Sequence, residues 1–224
     1  MTISIVARTP DARLYGIAIA SSSPAVAARC VHARAGVGAV ASQNVTDPAL
    51  GAAVLDRVAR GAGTSDAVTA VLAAAPYRDF RQIVAIGRSG PPAIHSGANA
   101  LGIVGSALGE HSAAAGNLLA NSAVPAAMVA AFESEEGHLG ARLLTALRAG
   151  VAKGGEVGPV HSAGLLVVRD VSWPIVDLRV DWHQLDPIGE LARIWDIYAP
   201  QIDDYVARAL NPDKAPRFGV PGDP

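Results

Sequence analysis

The chain has 224 residues, half of them hydrophobic and only 4% aromatic, which suits one domain with a sizeable core of small side chains. Its net charge of −2, with no basic block, argues against a nucleic-acid partner, and the single cysteine, Cys30, cannot form an internal disulfide. The first residues form a strand pattern rather than a charged leader, and the most apolar stretch, 113–132, is cut by Gly116, Asn117, Asn121 and Pro125, so neither a signal peptide nor a membrane span is expected and a cytoplasmic location is the default.

Residues 2–8 and 14–23 alternate with the period of half-buried strands. A loop at 11–13 would pair Ile5 with Ile19, Ala7 with Ile17, Thr2 with Ser22 and Ser4 with Ala20. The second face is then narrow and partly hydroxylated, with room for another sheet or for a ligand. Residues 24–35 are ambiguous, and 36–44 form a third strand rich in small residues. Asp47-Pro48 marks a helix start, with Leu50, Val54 and Val58 as its stripe and Gly61 as its stop. Thr64 is expected to cap a second helix that ends at Pro76.

A second strand group follows at 81–86 and 92–96, turning at 87–90. The glycine-rich 98–109 gives no clear pattern, and 111–119 reads as a strand. Helices are expected at about 125–136 and 138–152, split at Gly137, the latter with a stripe of Leu139, Leu143, Leu144, Leu147 and Val151. Segments 162–169 and 175–182 form a hairpin. Asp186-Pro187 repeats the cap-plus-proline start, and Pro200 is expected to kink the last helix. The helices do not alternate one-for-one with strands, so the fold class is α+β with helices on outer faces. One domain is expected over 1–211, followed by a proline-rich tail over 212–224.

Thr2 behind Met1 has a specific chemical use. If Met1 is removed, Thr2 carries both a hydroxyl and a free α-amine, and the amine can serve as base for its own hydroxyl. An α-amine titrates near pH 8, so the proton transfer is feasible at working pH, about neutral. Retention of Met1 would block that amine. Three other signals favour structural roles. Gly36-x-Gly38-x-x-Ala41 lies within a strand pattern rather than between strand and helix, so close sheet packing is expected. Asp181-x-His183 with Asp186 is a candidate metal set, but Asp186 reads as a helix cap and there is no paired-histidine zinc motif. Cys30 reads as a small buried residue.

Stretches 2–8, 16–26, 35–43, 116–119, 162–168 and 178–181 resemble a bacterial family, domain of unknown function 1028, grouped with the N-terminal-nucleophile (Ntn) hydrolases. The resemblance implies a four-layer αββα sandwich of two antiparallel sheets flanked by helices. It also implies a nucleophile at a strand start facing a cleft between the sheets, the position Thr2 holds. Asn117 and Asn44 are then the candidate oxyanion donors by chemistry, with Gln43 and Ser22 orienting amine or substrate. The lysine that proteasome-type members place beside the nucleophile has no counterpart, since the chain has only Lys153 and Lys214. Arg29 is the candidate to replace its charge. The expected function is cleavage of a small amide or peptide-like bond, without metal or cofactor and in a homo-oligomer. The alternative is a non-catalytic ligand-binding or assembly protein on the same fold.

Overall fold

The alternating residues at the amino end do form paired strands, and both strands are buried along their whole length. A computed structural model describes residues 1–217. In chain order the elements are β1 (Thr2–Arg8), β2 (Tyr15–Ser21), α1 (Val26–Cys30), β3 (Val31–Arg34), β4 (Gly38–Asn44), α2 (Pro48–Ala59) and α3 (Thr64–Ala74). Then come β5 (Arg81–Gly87), β6 (Ala93–Ser96), β7 (Gly105–Leu108), β8 (Ser112–Asn117), α4 (Val124–Ser134) and α5 (Leu139–Ala152). The chain continues with β9 (Ser162–Val168), β10 (Val176–Val180), α6 (Pro187–Tyr198) and α7 (Ile202–Leu210). Part of the expected tail, 218–224, lies outside the described residues.

The strands make two antiparallel sheets, ordered β10-β9-β2-β1-β8-β7 and β3-β4-β5-β6. Helices α4 and α5 cover the outer face of the larger sheet, with α6 over β9 and β10, while α2 and α3 cover the smaller sheet. Between the sheets Val6, Ile17 and Ala113 meet Ala41, Val84 and Ile86. The result is four layers, helix–sheet–sheet–helix. Each fully buried aliphatic side chain stabilises it by about 1.5–3 kcal/mol of transfer free energy.

The observed hairpin register differs from the expected one by a single residue. Ile5 pairs with Ala18, Val6 with Ile17 and Ser4 with Ile19. The turn is longer than the assumed loop because the Thr9 hydroxyl accepts from the N–H groups of both Arg13 and Leu14, and Ala12 takes a left-handed conformation. A one-residue slip turns every side chain to the other face. Ile17 therefore points into the inter-sheet layer and Ile19, on the same face, packs on Val26, Ala27 and Cys30 of α1, while Ala18 and Ala20 join Ile3 and Ile5 under the helices. Small residues there admit the helices. At Gly16 a Cβ would lie 2.6 Å from Leu143 Cδ1.

Most expected boundaries hold within two or three residues. Asp47 caps α2 through the Ala49 N–H at 3.1 Å, and Asp186 caps α6 through the Gly189 N–H at 2.7 Å. Thr64 is instead the first helical residue of α3 and is buried, with Gly63 in the cap position. The ambiguous 24–35 becomes α1 and β3, and the glycine-rich 98–109 contains the edge strand β7. Pro200 does more than kink the last helix. It sits in a 3-10 turn, Ala199–Gln201, that separates α6 from α7. No helix among the described residues is long and apolar enough to cross a membrane.

The Asp181–His183–Asp186 set does not converge on an ion. His183 Nδ1 accepts from the N–H groups of Leu185 and Asp186, and Asp186 is occupied as a cap. Among the described residues no group of three or more His, Cys, Asp or Glu is placed to hold a metal. Cys30 is buried, and burial raises its thiol pKa, which suits an inert packing residue.

Candidate functional site

β1 lies between β2 and β8, so its first residue is flanked on both sides by strand ends. Thr2 pairs with Asn117 of β8. The β1–β2 register, carried one residue past the Ile3–Ala20 pair, sets Thr2 beside Ser21, and Ser21 pairs with Ser162 of β9. Residues directly opposite in an antiparallel pair share a face. Asn117, Thr2, Ser21 and Ser162 thus form one polar row across the sheet, on the face that carries Val6 and Ile17 toward the smaller sheet. Thr2 is 6% exposed and the other three are fully buried.

The hydroxyls of Thr2 and Ser21 both donate to the Met1 carbonyl oxygen, and lie 3.5 Å from each other. Ser21 Oγ is 2.9 Å from Ser23 Oγ, which accepts from Arg29 Nη2 at 2.7 Å. Arg29 also donates to the Ala25 carbonyl at 3.0 Å. A directed chain therefore runs from a guanidinium through two serines to a carbonyl oxygen beside Thr2. Hydrogen bonds in such a chain polarise one another. The Arg29 charge thus reaches the site indirectly, and Ser21 is the donor that touches the carbonyl.

A second feature crosses the start of β1. The Ala120 N–H donates to Gly155 O, the Val157 N–H to Leu118 O, and Leu119 bridges Glu156, which ties 155–157 to the end of β8. On the other side the Ser22 N–H donates to Glu156 Oε2 at 3.1 Å, tying it to the end of β2. Since β1 runs between those strands, 155–157 forms a strap over its first residues. At Gly158, just after the strap, a Cβ would lie 3.2 Å from Met1 Cε, so the chain leaving the strap passes close to Met1.

Glu156 is buried, and its Oε1 has no protein partner. Burial pushes its pKa up to about 7, against the opposing pull of the terminal amine and the Ser22 N–H. A carboxyl whose folded pKa is raised loses stabilisation as pH rises. Its favourable state is fully present below the unfolded value near 4.5 and is lost as pH passes through about 7. Relative to Glu156→Gln, the wild type is therefore expected to lose about 3 kcal/mol of unfolding free energy across that window, as read by urea unfolding at stepped pH, with His32 and His138, whose pKa values desolvation lowers, contributing alike to both.

Below the polar row lies a network of buried amides. Gln82 Nε2 donates to Gly116 O at 3.1 Å and to Ser96 Oγ at 2.9 Å. The backbone carbonyl fixes which end of Gln82 is nitrogen, so its Oε1 is the acceptor. It accepts from Gln43 Nε2 at 2.8 Å and from Asn117 Nδ2 at 3.0 Å. Asn117 therefore commits one of its two N–H groups to Gln82, and its Oδ1 has no protein partner. An oxyanion needs a donor, and in this arrangement Asn117 has one N–H engaged by Gln82 and an unpartnered buried acceptor beside it. Gln43 is committed likewise, to Gln82 and at 3.3 Å to Ala115 O. Asn44 sits apart from the row, in a left-handed conformation at the end of β4. Its side chain clamps the 80 and 101 loops, donating to Phe80 O and accepting from the Leu101 N–H. Of the predicted residues, Thr2, Asn117 and Gln43 are brought together, Arg29 joins through Ser23, and Ser22 contributes its backbone N–H. Ser21, Gln82 and Glu156 complete the site, and no sequence signal singles them out.

The layers and this row define a class: a two-sheet α+β sandwich protein with a hydroxyl-lined, partly charged site at the start of a central strand. The chain belongs to DUF1028, a family of unknown function whose model matches residues 2–191. It is similar to a crystal structure of a Silicibacter pomeroyi protein carrying the same family model, at TM-score 0.84 and 30% identity, covering 91% of this chain and 89% of that one. A weaker likeness is to Anbu (ancestral beta-subunit) from Yersinia bercovieri, at TM-score 0.40 and 10% identity, covering 91% of this chain and 97% of that one. No curated protein matches the chain.

Proposed function

We propose that this is an Ntn-type amidohydrolase in which Thr2, once Met1 is removed, cleaves a small amide or peptide-like bond. The observation that carries the reading is the buried Thr2 hydroxyl at the start of the central strand, beside a carbonyl oxygen that Ser21 also holds. Thr2 Oγ1 attacks the substrate carbonyl carbon and its proton passes to the Thr2 α-amine. The carbonyl oxygen takes the negative charge and accepts from Ser21 Oγ, with Arg29 supporting through Ser23. The tetrahedral intermediate collapses, the amine returns its proton to the leaving nitrogen, and water then hydrolyses the threonine ester. With Met1 in place the Thr2 nitrogen is a peptide amide and has no basicity to lend.

The rival reading is a binding or assembly protein. It is favoured by the Met1 carbonyl filling the hydroxyl pocket and by the committed amides of Asn117 and Asn44. Intact mass of the protein from its native cell is the first measurement. Loss of one methionine, followed by release of amine from a panel of small amides, is the expected result. Retention of Met1 in the working protein overturns the enzyme and leaves the binder.

A further inference from the structure

The proteasome-type site has a lysine beside its nucleophile, whereas this chain's two lysines are exposed, Lys153 just past the end of α5 and Lys214 after α7. The strap instead carries a carboxylate across the same strand end. Glu156 is fixed by the Ser22 N–H on one side of β1 and by its bridge to Leu119 on the other, with Oε1 buried and unpartnered. The strap carries this carboxyl over the first residues of β1, and the amine whose charge opposes its raised pKa here is that of Met1, one residue ahead of Thr2. Ser22 adds a neutral N–H to Glu156, and Arg29 stands one relay away, bound to Ser23.

We propose that Glu156 and the α-amine of Thr2 share one proton: the carboxylate holds the resting amine as ammonium, and passage of that proton to Glu156 releases the neutral amine that acts as base. This rests on the Ntn reading only for the amine being that of Thr2. The step is a single proton transfer, from carboxylate plus ammonium to carboxylic acid plus amine, with no change in net charge. A carboxyl poised near neutrality can serve as that acceptor, whereas an ordinary exposed glutamate gives the proton up about two to three pH units lower. The attacking hydroxyl then gives its proton to the amine and not to Glu156, so Glu156 is a positioning residue.

The experiment titrates the amine without needing a substrate. Protein lacking Met1, confirmed by mass, is acylated with a small activated ester between about pH 5 and 9, a range that spans the titration of both groups. The modified Thr2 peptide, which ends at Arg8, is distinct from those of Lys153 and Lys214. In wild type the rate is expected to rise in two coupled steps. In Glu156→Gln it is expected to rise in one step, at lower pH, because the ammonium has lost its anionic partner. If that step falls about one pH unit lower, acylation at neutral pH becomes about tenfold faster. Glu156→Asp, which withdraws the carboxylate by one methylene, gives an intermediate profile and serves if the glutamine variant fails to fold. Identical profiles in wild type and a folded variant overturn the proposal. If the profiles differ and no amide is hydrolysed, the shared proton stands and the enzyme reading falls.

Discussion

Thr2→Ala, prepared without Met1, is expected to abolish amide hydrolysis while leaving the fold intact. The side-chain bonds at stake are those of one hydroxyl, to the Met1 carbonyl and toward Ser21, and the first of these is already gone once Met1 is removed. The β1–β8 ladder is backbone and is unaffected. Stability should change by no more than about 1 kcal/mol. Turnover, by contrast, loses the only atom proposed to bond to substrate, and the expected fall is more than about a thousandfold. Thr2→Ser keeps hydroxyl and amine and should retain measurable turnover. The measurement is amine release from whichever amide the panel identifies, with thermal melts run alongside. Full activity in the alanine variant would remove Thr2 as nucleophile. The alanine variant still presents a free amine and the Ser21–Ser23–Arg29 relay, so undiminished ligand binding without turnover in the wild type would instead mark the binder.

Much of the fold is legible in the sequence because local chemistry decides it. Asp-Pro pairs start α2 and α6 where expected, Gly61 stops α2, and alternation marks the first hairpin. The stacking of two sheets comes from family resemblance, since strand periodicity does not say which strands are neighbours. The expected register is off by one residue, and that slip selects the wrong serine. Pairing Thr2 with Ser22 makes Ser22 the site residue, whereas the Thr9-bonded turn shifts β2 and brings Ser21 to Thr2. The turn hydroxyl is visible in the sequence, but its two bonds to Arg13 and Leu14 depend on the folded loop.

Glu156 is invisible there for a different reason. It follows Gly154-Gly155 in what reads as a helix stop, and nothing local marks a buried carboxylate. Its role comes from long-range ties to Ser22 and Leu119. Asn117 can be picked out from its place at a strand end, but not with an N–H already engaged. A sequence shows an amide, and only the Gly116–Gln82 bond fixes which end meets Gln82.

That same bond makes Gln82 the residue on which the site geometry turns, and Gln82→Met is expected to destabilise the protein by about 3 kcal/mol or more. Methionine is close in volume, so the loss is not a cavity effect. It strands two buried amide donors, Gln43 Nε2 and Asn117 Nδ2, on a thioether, and it takes a donor from Gly116 O. Gln43 keeps a longer bond to Ala115 O, so Asn117 suffers most. Ser96→Ala removes only one bond from the same network and should cost about 1 kcal/mol. Adding Gln43→Met to Gln82→Met removes one of the stranded donors, so the double variant should cost less than the sum of the singles. Urea unfolding with an unchanged m-value checks each of these. Additive costs would show that the amides are packed side by side without depending on one another, and Asn117 would then be free to turn its N–H toward Thr2.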